Sequence, residues 1–311
     1  MTNDTVSIAR HVDGLVRGAP ADSCEFACLT RDKRGFGSVR LLVGDAAEVV
    51  AGMSPESVDC VVTSPPYWGL RDYRVAGQYG AESSVDSYVA NLVGVFHEVS
   101  RVLRPGGTVW LNLGDCFGGS WGNYVARGSA ARTASVRAAS RYGVHRPPQS
   151  AFRRKDLVGV PWRVALSLQQ HGWLLRNAVV WEKPNARPES VRDRLSQRYE
   201  TVLLLARSPG HWFAPQSGRG TDHSDMWRVS SGRSGAGHPA AGTLEIARRC
   251  IRLGCPREGV VLDPFCGSGT TGVAALEHEC SFVGVDVDPA CRDLTHRRLA
   301  DAVAGWKRWR S

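Results

Sequence analysis

The 311-residue sequence has no run of about eighteen consecutive apolar residues, the length that a membrane-spanning helix requires. Its first thirty residues also lack the apolar core of a secretory signal peptide. These absences predict a cytoplasmic protein without a membrane partner. With 42% hydrophobic and 22% charged residues, the chain can bury a full core, either as one large α/β domain with an insertion or as two domains.

Regular cysteine spacing is also missing. The nine cysteines are odd in number and irregularly placed, which favours reduced thiols in a reducing compartment over a disulfide framework. Cys24 and Cys28 are separated as zinc ligands often are, but no second pair or histidine cluster completes a site. We therefore expect no metal.

Acidic residues are absent between residues 127 and 155, where eight arginines and lysines occur among glycine, serine and alanine. The whole chain carries a formal charge of +9. Such a stretch is typical of a loop that contacts DNA phosphates, and equally of a solvated loop. The DNA-binding candidates are Arg127, Arg132, Arg137, Arg141, Arg146, Arg153, Arg154 and Lys155.

Strand-like and helix-like segments alternate through both ends of the chain, which predicts an α/β fold with a doubly wound mixed sheet. The predicted strands are 41–45, 58–63, 108–113, 173–181, 200–206, 259–263 and 281–286. The predicted helices are a short one between the first two strands, then 86–103, 157–171 and 242–253, with two more starting at residue 270 and near the C-terminus. We expect 173–181 and 200–206 to be an antiparallel pair, and 209–239, rich in Gly, Ser and Arg, to be a mobile loop.

The segment Thr63-Ser-Pro-Pro-Tyr67 directly follows a predicted buried strand. In parallel α/β sheets, the loops at the carboxyl ends of strands carry the chemistry. Pro65 and Pro66 stiffen this loop and leave its carbonyls free, while Ser64 adds a hydroxyl and Tyr67 a flat ring. Such a loop can grip a planar group with an amine on its edge. Taken alone, the segment favours an ordinary proline turn with packed aromatics.

A second motif, Gly267-Ser-Gly-Thr-Thr-Gly272, matches G-x-G-x-x-G and is followed by Asp286 at the end of the next predicted strand. Alone it also fits a dinucleotide-binding fold or a tight strand-to-helix turn. Asp263 distinguishes between a dinucleotide and S-adenosyl-L-methionine as the ligand. Its carboxylate would repel the pyrophosphate of a dinucleotide, whereas S-adenosyl-L-methionine carries an ammonium group as well as a carboxylate and a ribose. The motif therefore favours the sulfonium cofactor.

Each part of that cofactor has a candidate contact. The cofactor-binding candidates are Asp45, Asp263, Phe265, Gly267, Ser268, Gly269, Thr270 and Asp286. The glycine loop is assigned to the methionine carboxylate and Asp263 to the ammonium group. Asp286 is assigned to the ribose hydroxyls and Asp45 to the adenine amine. Asp288 is the weaker ribose candidate, because we expect it to cap the following helix.

The motifs Asp263-Pro-Phe-Cys-Gly-Ser-Gly-Thr-Thr271 and Thr63-Ser-Pro-Pro-Tyr67 together resemble those of prokaryotic and phage site-specific DNA amino-methyltransferases, in the permuted (beta-type) order. Leu111-Asn-Leu-Gly-Asp115 and Trp181-Glu-Lys-Pro-Asn185 support the resemblance. It implies a class I S-adenosylmethionine-dependent methyltransferase (Rossmann-like) fold with inserted DNA-recognition loops.

The resemblance also implies a division of the chain. The N-terminal segment 1–36 is left as uncertain structure, and one permuted domain covers 37–311. Within it, a catalytic half occupies about 37–208 and a cofactor half about 240–311. Recognition of double-stranded DNA is assigned to insertions at about 117–156 and 209–236. A cognate restriction endonuclease is an optional partner.

Roles in catalysis are likewise implied by the resemblance. The catalytic residues are Ser64, Pro65, Pro66 and Tyr67. The target base is flipped out of the duplex and stacks on Tyr67, while the Ser64 side chain and the Pro65 carbonyl accept hydrogen bonds from its exocyclic amine.

Serine at position 64 favours cytosine N4 as the target within the resemblance, since Asp or Asn there accompanies adenine N6. A hydroxyl accepts from either amine, so adenine N6 is the alternative.

A function of another class is that of a DNA-binding module that has lost its enzymatic activity. The intact Ser64, Tyr67, Asp263 and Asp286 argue against it. An RNA or small-molecule methyltransferase leaves the basic stretches unexplained.

Overall fold

The computed structural model describes residues 24–26, 37–118, 152–186, 188–189, 191–214, 224–231 and 243–310. The strands of this part are β1 (Cys24–Phe26), β2 (Val39–Val43), β3 (Val58–Thr63), β4 (Leu103–Leu113), β5 (Leu174–Glu182), β6 (Tyr199–Ala206), β7 (Met226–Arg228), β8 (Val260–Asp263) and β9 (Ser281–Asp286). The helices are α1 (Ala46–Ala51), α2 (Val85–Val102), α3 (Val160–Gln170), α4 (Leu244–Gly254), α5 (Thr270–Glu277) and α6 (Pro289–Arg310).

All these strands belong to one sheet with the order β1-β2-β9-β8-β3-β4-β6-β5-β7. The five strands from β2 to β4 are parallel, whereas β6 is antiparallel to both β4 and β5. The predicted mixed sheet and its antiparallel pair are therefore confirmed. Because β8 and β9 lie between β2 and β3, the carboxyl ends of strands from both halves of the sequence meet at one edge.

Helices cover both faces of the sheet. Every residue of β3 is buried, as expected for a central strand. Val61 packs on one side with α1, α2 and α3, while Cys60 and Val62 pack on the other with α4, α5 and α6. Each fully buried Val or Leu of these layers contributes about 1.5–3 kcal/mol. The resulting core holds the strand ends rigidly beneath the loops that they carry.

Helix α2 and the strand after it show how the sequence sets one boundary. The Ser84 hydroxyl accepts a hydrogen bond from the Ser87 amide at 3.0 Å and so caps the start of the helix. The helix ends at Val102, and the Arg104-Pro-Gly-Gly segment is included in β4 as a register irregularity against β3. The strand predicted at 108–113 thus starts earlier, at Leu103.

Other predicted boundaries also need correction. The helix predicted at 157–171 spans 160–170. The prediction of a loop throughout 209–239 is wrong at 226–228, which form β7 parallel to β5. Residues 24–26, left as uncertain structure, pair antiparallel with β2. Both added strands are three residues long and lie at the edges of the sheet, where each pairs with one neighbouring strand.

The two ends of the predicted insertion 117–156 are joined to each other. The Gly118 amide donates to the Asp156 carbonyl at 2.7 Å, and the Lys155 amide donates to the Gly118 carbonyl at 2.6 Å. Phe117 forms a β-bridge with Leu157. This paired neck holds the described residues 117–118 against 155–157.

Within the described residues, no helix is long and apolar enough to cross a membrane.

Candidate active site

A cavity of about 900 Å³ opens at the edge of the sheet where the parallel strands end. Its wall contains the Ser-Pro-Pro-Tyr loop after β3 and the glycine loop between β8 and α5. Ser64, Pro65, Pro66 and Tyr67 all line it, as do most of the cofactor-binding candidates; these are Asp263, Phe265, Gly267, Ser268, Thr270 and Asp286. The topology therefore brings together two motifs that are separated by about 200 residues of sequence.

The Ser-Pro-Pro-Tyr loop is anchored by a hydrogen bond from helix α2. Ser64 is exposed, while Pro65 is buried. The hydroxyl of Tyr88, on α2, donates to the Pro66 carbonyl at 3.0 Å. The prediction that both proline carbonyls are free is therefore wrong for Pro66, because a buried tyrosine uses its carbonyl as an anchor. The role predicted for the Pro65 carbonyl stays a prediction.

Tyr67 is held at its hydroxyl and packs closely against Gly114. Its hydroxyl donates to Glu200 Oε2 at 2.7 Å and accepts from Asn112 Nδ2 at 2.8 Å. A Cβ atom placed on Gly114 would lie 2.6 Å from Cε2 of the ring, so only glycine fits there. Burial, and then the nearby Glu200 carboxylate, raise the pKa of Tyr67 well above its ordinary value. The phenol therefore stays protonated and able to donate.

Three polar residues beside Tyr67 were not among the predicted site residues. Asn112 Nδ2 also lies 3.2 Å from Ser64 Oγ and 2.9 Å from Glu200 Oε2. Lys183 forms an ion pair with Glu200 Oε1, and its ammonium group lies 4.4 Å from the centre of the Trp181 ring. Asn112 and Lys183 belong to segments that support the family resemblance, so a signal existed for these two. Glu200 is the second residue of the antiparallel strand β6, and only the register of that strand brings it to this edge.

The glycine loop has the backbone that its sequence predicts. Gly267 and Gly269 have φ angles of 52° and 75°, in the left-handed region that favours glycine. A Cβ atom on Gly269 would lie 2.4 Å from Thr295 Cγ2. Gly269 also caps the start of α5. From α6, Arg298 donates to the Ser268 carbonyl at 2.6 Å and to its hydroxyl at 2.5 Å, which holds the loop closed on that side.

Asp263 is a buried carboxylate at the end of β8, only 4% exposed. It accepts hydrogen bonds from the Thr63 hydroxyl at 2.7 Å, the Thr271 hydroxyl at 2.7 Å and the Phe265 amide at 3.1 Å. Burial raises the pKa of Asp263 to about 6, although these three donors oppose the shift. A cationic ligand beside this carboxylate would favour the ionised form.

The remaining candidate carboxylates support the backbone of the site. Asp286 accepts from the amides of Gly267 at 2.8 Å and Asp288 at 2.9 Å, and burial raises its pKa. Asp288 accepts from the Ala290 amide at 2.9 Å, which confirms its predicted helix-capping role. Asp45 caps α1 through the amides of the second and third residues after it. The ribose role of Asp286 and the adenine role of Asp45 stay predictions.

With this geometry in place, comparison with known proteins decides the family. The family model described as DNA methylase, which covers N6 and N4 methylases, matches residues 58–297. The chain belongs to this DNA methylase family. The matched range contains the Ser-Pro-Pro-Tyr loop and the glycine loop.

Individual relatives of this methylase cover most of its length. It is 39% identical over 282 residues to the type II methyltransferase M.SmaI of Serratia marcescens, covering 88% of this chain and 93% of the relative. It is 38% identical to the type II methyltransferase M.Cfr9I of Citrobacter freundii, covering 83% and 87%. The likeness therefore extends over most of this chain and most of each relative.

Solved structures agree with the fold. The Thermus thermophilus protein TTHA0409, complexed with S-adenosyl-L-methionine, has a TM-score of 0.60 and 26% identity, covering 85% of this chain and 94% of that one. The PvuII DNA methyltransferase, described as cytosine-N4-specific, has a TM-score of 0.63 at 16% identity, covering 87% and 93%. The second likeness shows the fold alone.

The predicted DNA-binding residues of the methylase fall into two groups. Arg127, Arg132, Arg137, Arg141 and Arg146 lie outside the described residues. Arg153 and Arg154 are exposed at the paired neck. Lys155 is also exposed, but its ammonium group is paired with the Asp193 carboxylate. Of the three described candidates, Lys155 is therefore the least available to a phosphate.

Proposed function

We propose that this DNA methylase transfers a methyl group from S-adenosyl-L-methionine to the exocyclic N4 amine of a cytosine within a specific DNA sequence. The observation that carries the proposal is the position of Ser64 and Tyr67 on the wall of the same cavity as the glycine loop. Serine rather than a carboxamide or carboxylate at position 64 is what favours cytosine.

S-Adenosyl-L-methionine is the cofactor, and when bound it supplies an electrophilic methyl group. The cavity fits it in three respects. Gly267, with a left-handed backbone, lies on the cavity wall beside the α5 N-terminus and adds no side chain there, and that N-terminus suits a carboxylate. Asp263 offers a buried negative charge to the ammonium group. Asp286, at the next strand end, suits the ribose hydroxyls.

The target base is assigned to Tyr67, whose ring offers a stacking surface for a base flipped out of the duplex. Ser64 Oγ and the Pro65 carbonyl accept the two hydrogens of its amine. An amine conjugated into an aromatic ring is a poor nucleophile, and two acceptors draw its nitrogen toward sp³ geometry and direct its lone pair at the methyl group. The amine lone pair would form the new N–C bond as the S–C bond breaks, the sulfur would keep that bond's electron pair as a neutral thioether, and one amine proton would pass to solvent.

No covalent bond between enzyme and base is needed. Cys266, in the glycine loop, is 7% exposed, and burial raises the pKa of its thiol well above the ordinary value. A thiol in this state is a weak nucleophile. Ser64, Tyr67 and the cofactor pocket are sufficient for direct transfer to the amine.

The decisive experiment identifies the modified nucleoside. The purified protein is incubated with S-adenosyl-L-methionine and unmethylated genomic DNA, which is then digested to nucleosides and analysed by mass spectrometry. We expect N4-methylcytosine, and sequencing that detects modified bases then gives the recognition site. Tyr67→Ala is the inactive control, since it keeps the cofactor pocket. N6-methyladenine as product would contradict the cytosine assignment, and the absence of any methylated nucleoside would contradict the proposal as a whole.

A further inference from the structure

Asn112, Lys183 and Glu200 form a polar group behind the target-base pocket that the mechanism above does not use. We call Glu200, Lys183, Asn112 and their contacts Tyr67 and Ser64 the Glu200 network. Its side chains come from three strand ends, and they line the cavity together. The inference below rests on the proposed function, because it concerns how this network acts on the residues that receive the base.

Glu200 determines the direction of the hydrogen bonds around it. An ionised carboxylate only accepts hydrogen bonds. With Tyr67 Oη at 2.7 Å and Asn112 Nδ2 at 2.9 Å from Oε2, the phenol must donate and the amide must turn its nitrogen toward Glu200. The carboxylate therefore fixes both the rotation of the Tyr67 hydroxyl and the orientation of the Asn112 amide.

The orientation of Asn112 leaves one atom unsatisfied. Its nitrogen has two hydrogens and lies near three acceptors, of which Tyr67 Oη and Glu200 Oε2 are closer than Ser64 Oγ. Its Oδ1 is buried and has no hydrogen-bond partner among the described residues. A buried acceptor without a partner is rare in native proteins. Asn112 therefore gives up a hydrogen bond at Oδ1 while its nitrogen stays turned toward Glu200.

Lys183 keeps the carboxylate in place. Its ammonium group is held between Glu200 Oε1 and the face of the Trp181 ring. The side chains of Lys183 and Glu200 are only 19% and 17% exposed, so an unpaired charge at either position would be unfavourable. The ion pair therefore places two charged groups with no net charge beside Tyr67.

Rigid strands set this arrangement. In the antiparallel register of β5 and β6, Trp181 lies opposite Glu200, so Lys183 follows two residues later on the adjoining strand end. In the register of β4 and β6, Asn112 lies opposite Val202. Sites built on strands hold their geometry more closely than sites built on free loops.

We propose that Glu200, neutralised by Lys183, is a positioning residue that holds the ring of Tyr67 and the amide of Asn112 in the orientation in which the pocket receives the target base. Glu200 acts through these two side chains and does not itself touch the reacting nitrogen. Its loss should therefore lower turnover and leave cofactor binding intact.

A double-mutant cycle with Tyr67→Phe and Glu200→Gln tests this role. The DNA is a duplex with the methylation site found by sequencing, and turnover is measured at saturating DNA and cofactor. A hydrogen bond to a charged group is lost in each single variant, so we expect each to lower turnover by about tenfold or more. Both substitutions remove the same contact. The turnover of the double variant should therefore be only slightly below that of the less active single variant, and the two fold-losses should not multiply.

Two controls separate positioning from general damage. The cofactor dissociation constant should stay within about twofold of wild type in every variant. Glu182→Gln makes the same chemical change next to Lys183, at a carboxylate outside the cavity wall, and should leave turnover unchanged. Wild-type turnover in Glu200→Gln, or losses that multiply in the double variant, would overturn the proposal.

A second measurement does not depend on activity. Crystal structures of the wild type and of Glu200→Gln should differ by a rotated Asn112 amide or a displaced Tyr67 ring. Unchanged positions of both side chains would count against the proposal. If the wild type methylates no DNA, the proposed function fails, while this structural comparison still decides the positioning role.

Discussion

At the scale of single residues, the contact between Gly114 and the Tyr67 ring leaves no room for a side chain. The ring cannot easily move away, because Glu200 and Asn112 hold its hydroxyl. A Cβ atom on Gly114 would lie 2.6 Å from the ring. Tyr67 is thus placed by a glycine on one strand as much as by its own loop.

We predict that Gly114→Ala lowers turnover by about tenfold or more, because it pushes the Tyr67 ring, the proposed stacking surface, out of position. Cofactor affinity, measured by calorimetry, should stay within about twofold of wild type. The matched control is Gly94→Ala, at an exposed position of α2 where an added Cβ meets nothing within 4 Å. That variant should raise the free energy of unfolding by about 0.5–1 kcal/mol and keep full turnover. Full turnover in Gly114→Ala would mean that the ring is free to shift.

The raised pKa of Asp263 gives cofactor binding a pH dependence. Below about pH 6 this carboxyl is mostly protonated in the free protein. An ammonium group favours the ionised form, so binding below that pH releases a proton. We predict that affinity for S-adenosyl-L-methionine rises by up to about tenfold per pH unit as pH approaches 6 from below, and then levels off.

Titration calorimetry at a series of pH values, in buffers of different ionisation enthalpy, measures this effect. Asp286 has a pKa raised in the same direction and contributes to the profile. Asp263→Asn isolates the contribution of Asp263, since it should bind more weakly and lose most of the dependence. A cofactor affinity of the wild type that does not change with pH would mean that the ammonium group does not contact Asp263.

At the scale of secondary structure, the three-residue strand β7 carries more of the core than its length suggests. Trp227 is 1% exposed and stacks on Trp110 of β4, with ring centres 5.9 Å apart. Its indole nitrogen is buried without a hydrogen-bond partner among the described residues. The strand therefore closes one face of the sheet mainly through a single aromatic side chain.

We predict that Trp227→Ala lowers the free energy of unfolding by about 3–5 kcal/mol, as expected for removal of a buried aromatic ring. Trp227→Phe should cost clearly less, because it keeps a ring against Trp110 and removes the unpaired N–H group. Chemical denaturation of both variants measures the difference. Equal costs for Phe and Ala would show that shape at this position matters more than aromatic contact.

The strands also show what could be predicted from the sequence. Val58–Thr63 and Ser281–Asp286 are central strands, and their continuous burial gives an apolar run that sequence alone identifies. Met226–Arg228 is too short for such a pattern, and its pairing with β5 is a tertiary contact. The Ser-Pro-Pro-Tyr and glycine loops could be placed because each follows a recognisable strand. Glu200 could not, since its position depends on the register of two antiparallel strands.

At the scale of the whole molecule, the two halves of the sequence do not form separate bodies. The strands β8 and β9 of the C-terminal half lie inside the sheet, between β2 and β3 of the N-terminal half. The buried Asp263 of one half bonds Thr63 of the other at 2.7 Å. The glycine loop and the Ser-Pro-Pro-Tyr loop are thereby held in one rigid frame, as the proposed direct methyl transfer between their ligands requires.

DNA binding belongs to the same scale, because the formal charge of +9 on the whole chain attracts a polyanion. Each neutralised phosphate contributes about −0.9 to the slope of log affinity against log salt. Arg153 and Arg154 are exposed at the neck and form no ion pair with a described residue, whereas the neighbouring Lys155 is paired with Asp193. If this neck faces DNA, the three side chains should contribute unequally.

We predict a steep salt dependence for the wild type and a slope reduced by about 2 in the double variant Arg153→Gln, Arg154→Gln. Lys155→Gln should change the slope by clearly less than one unit, because its charge is already compensated. Fluorescence anisotropy with a labelled duplex, over a series of KCl concentrations, measures all three slopes. An unchanged slope in the double variant would mean that Arg153 and Arg154 are solvated and do not contact DNA phosphates. An equal effect of Lys155→Gln would mean that its ion pair opens when DNA binds.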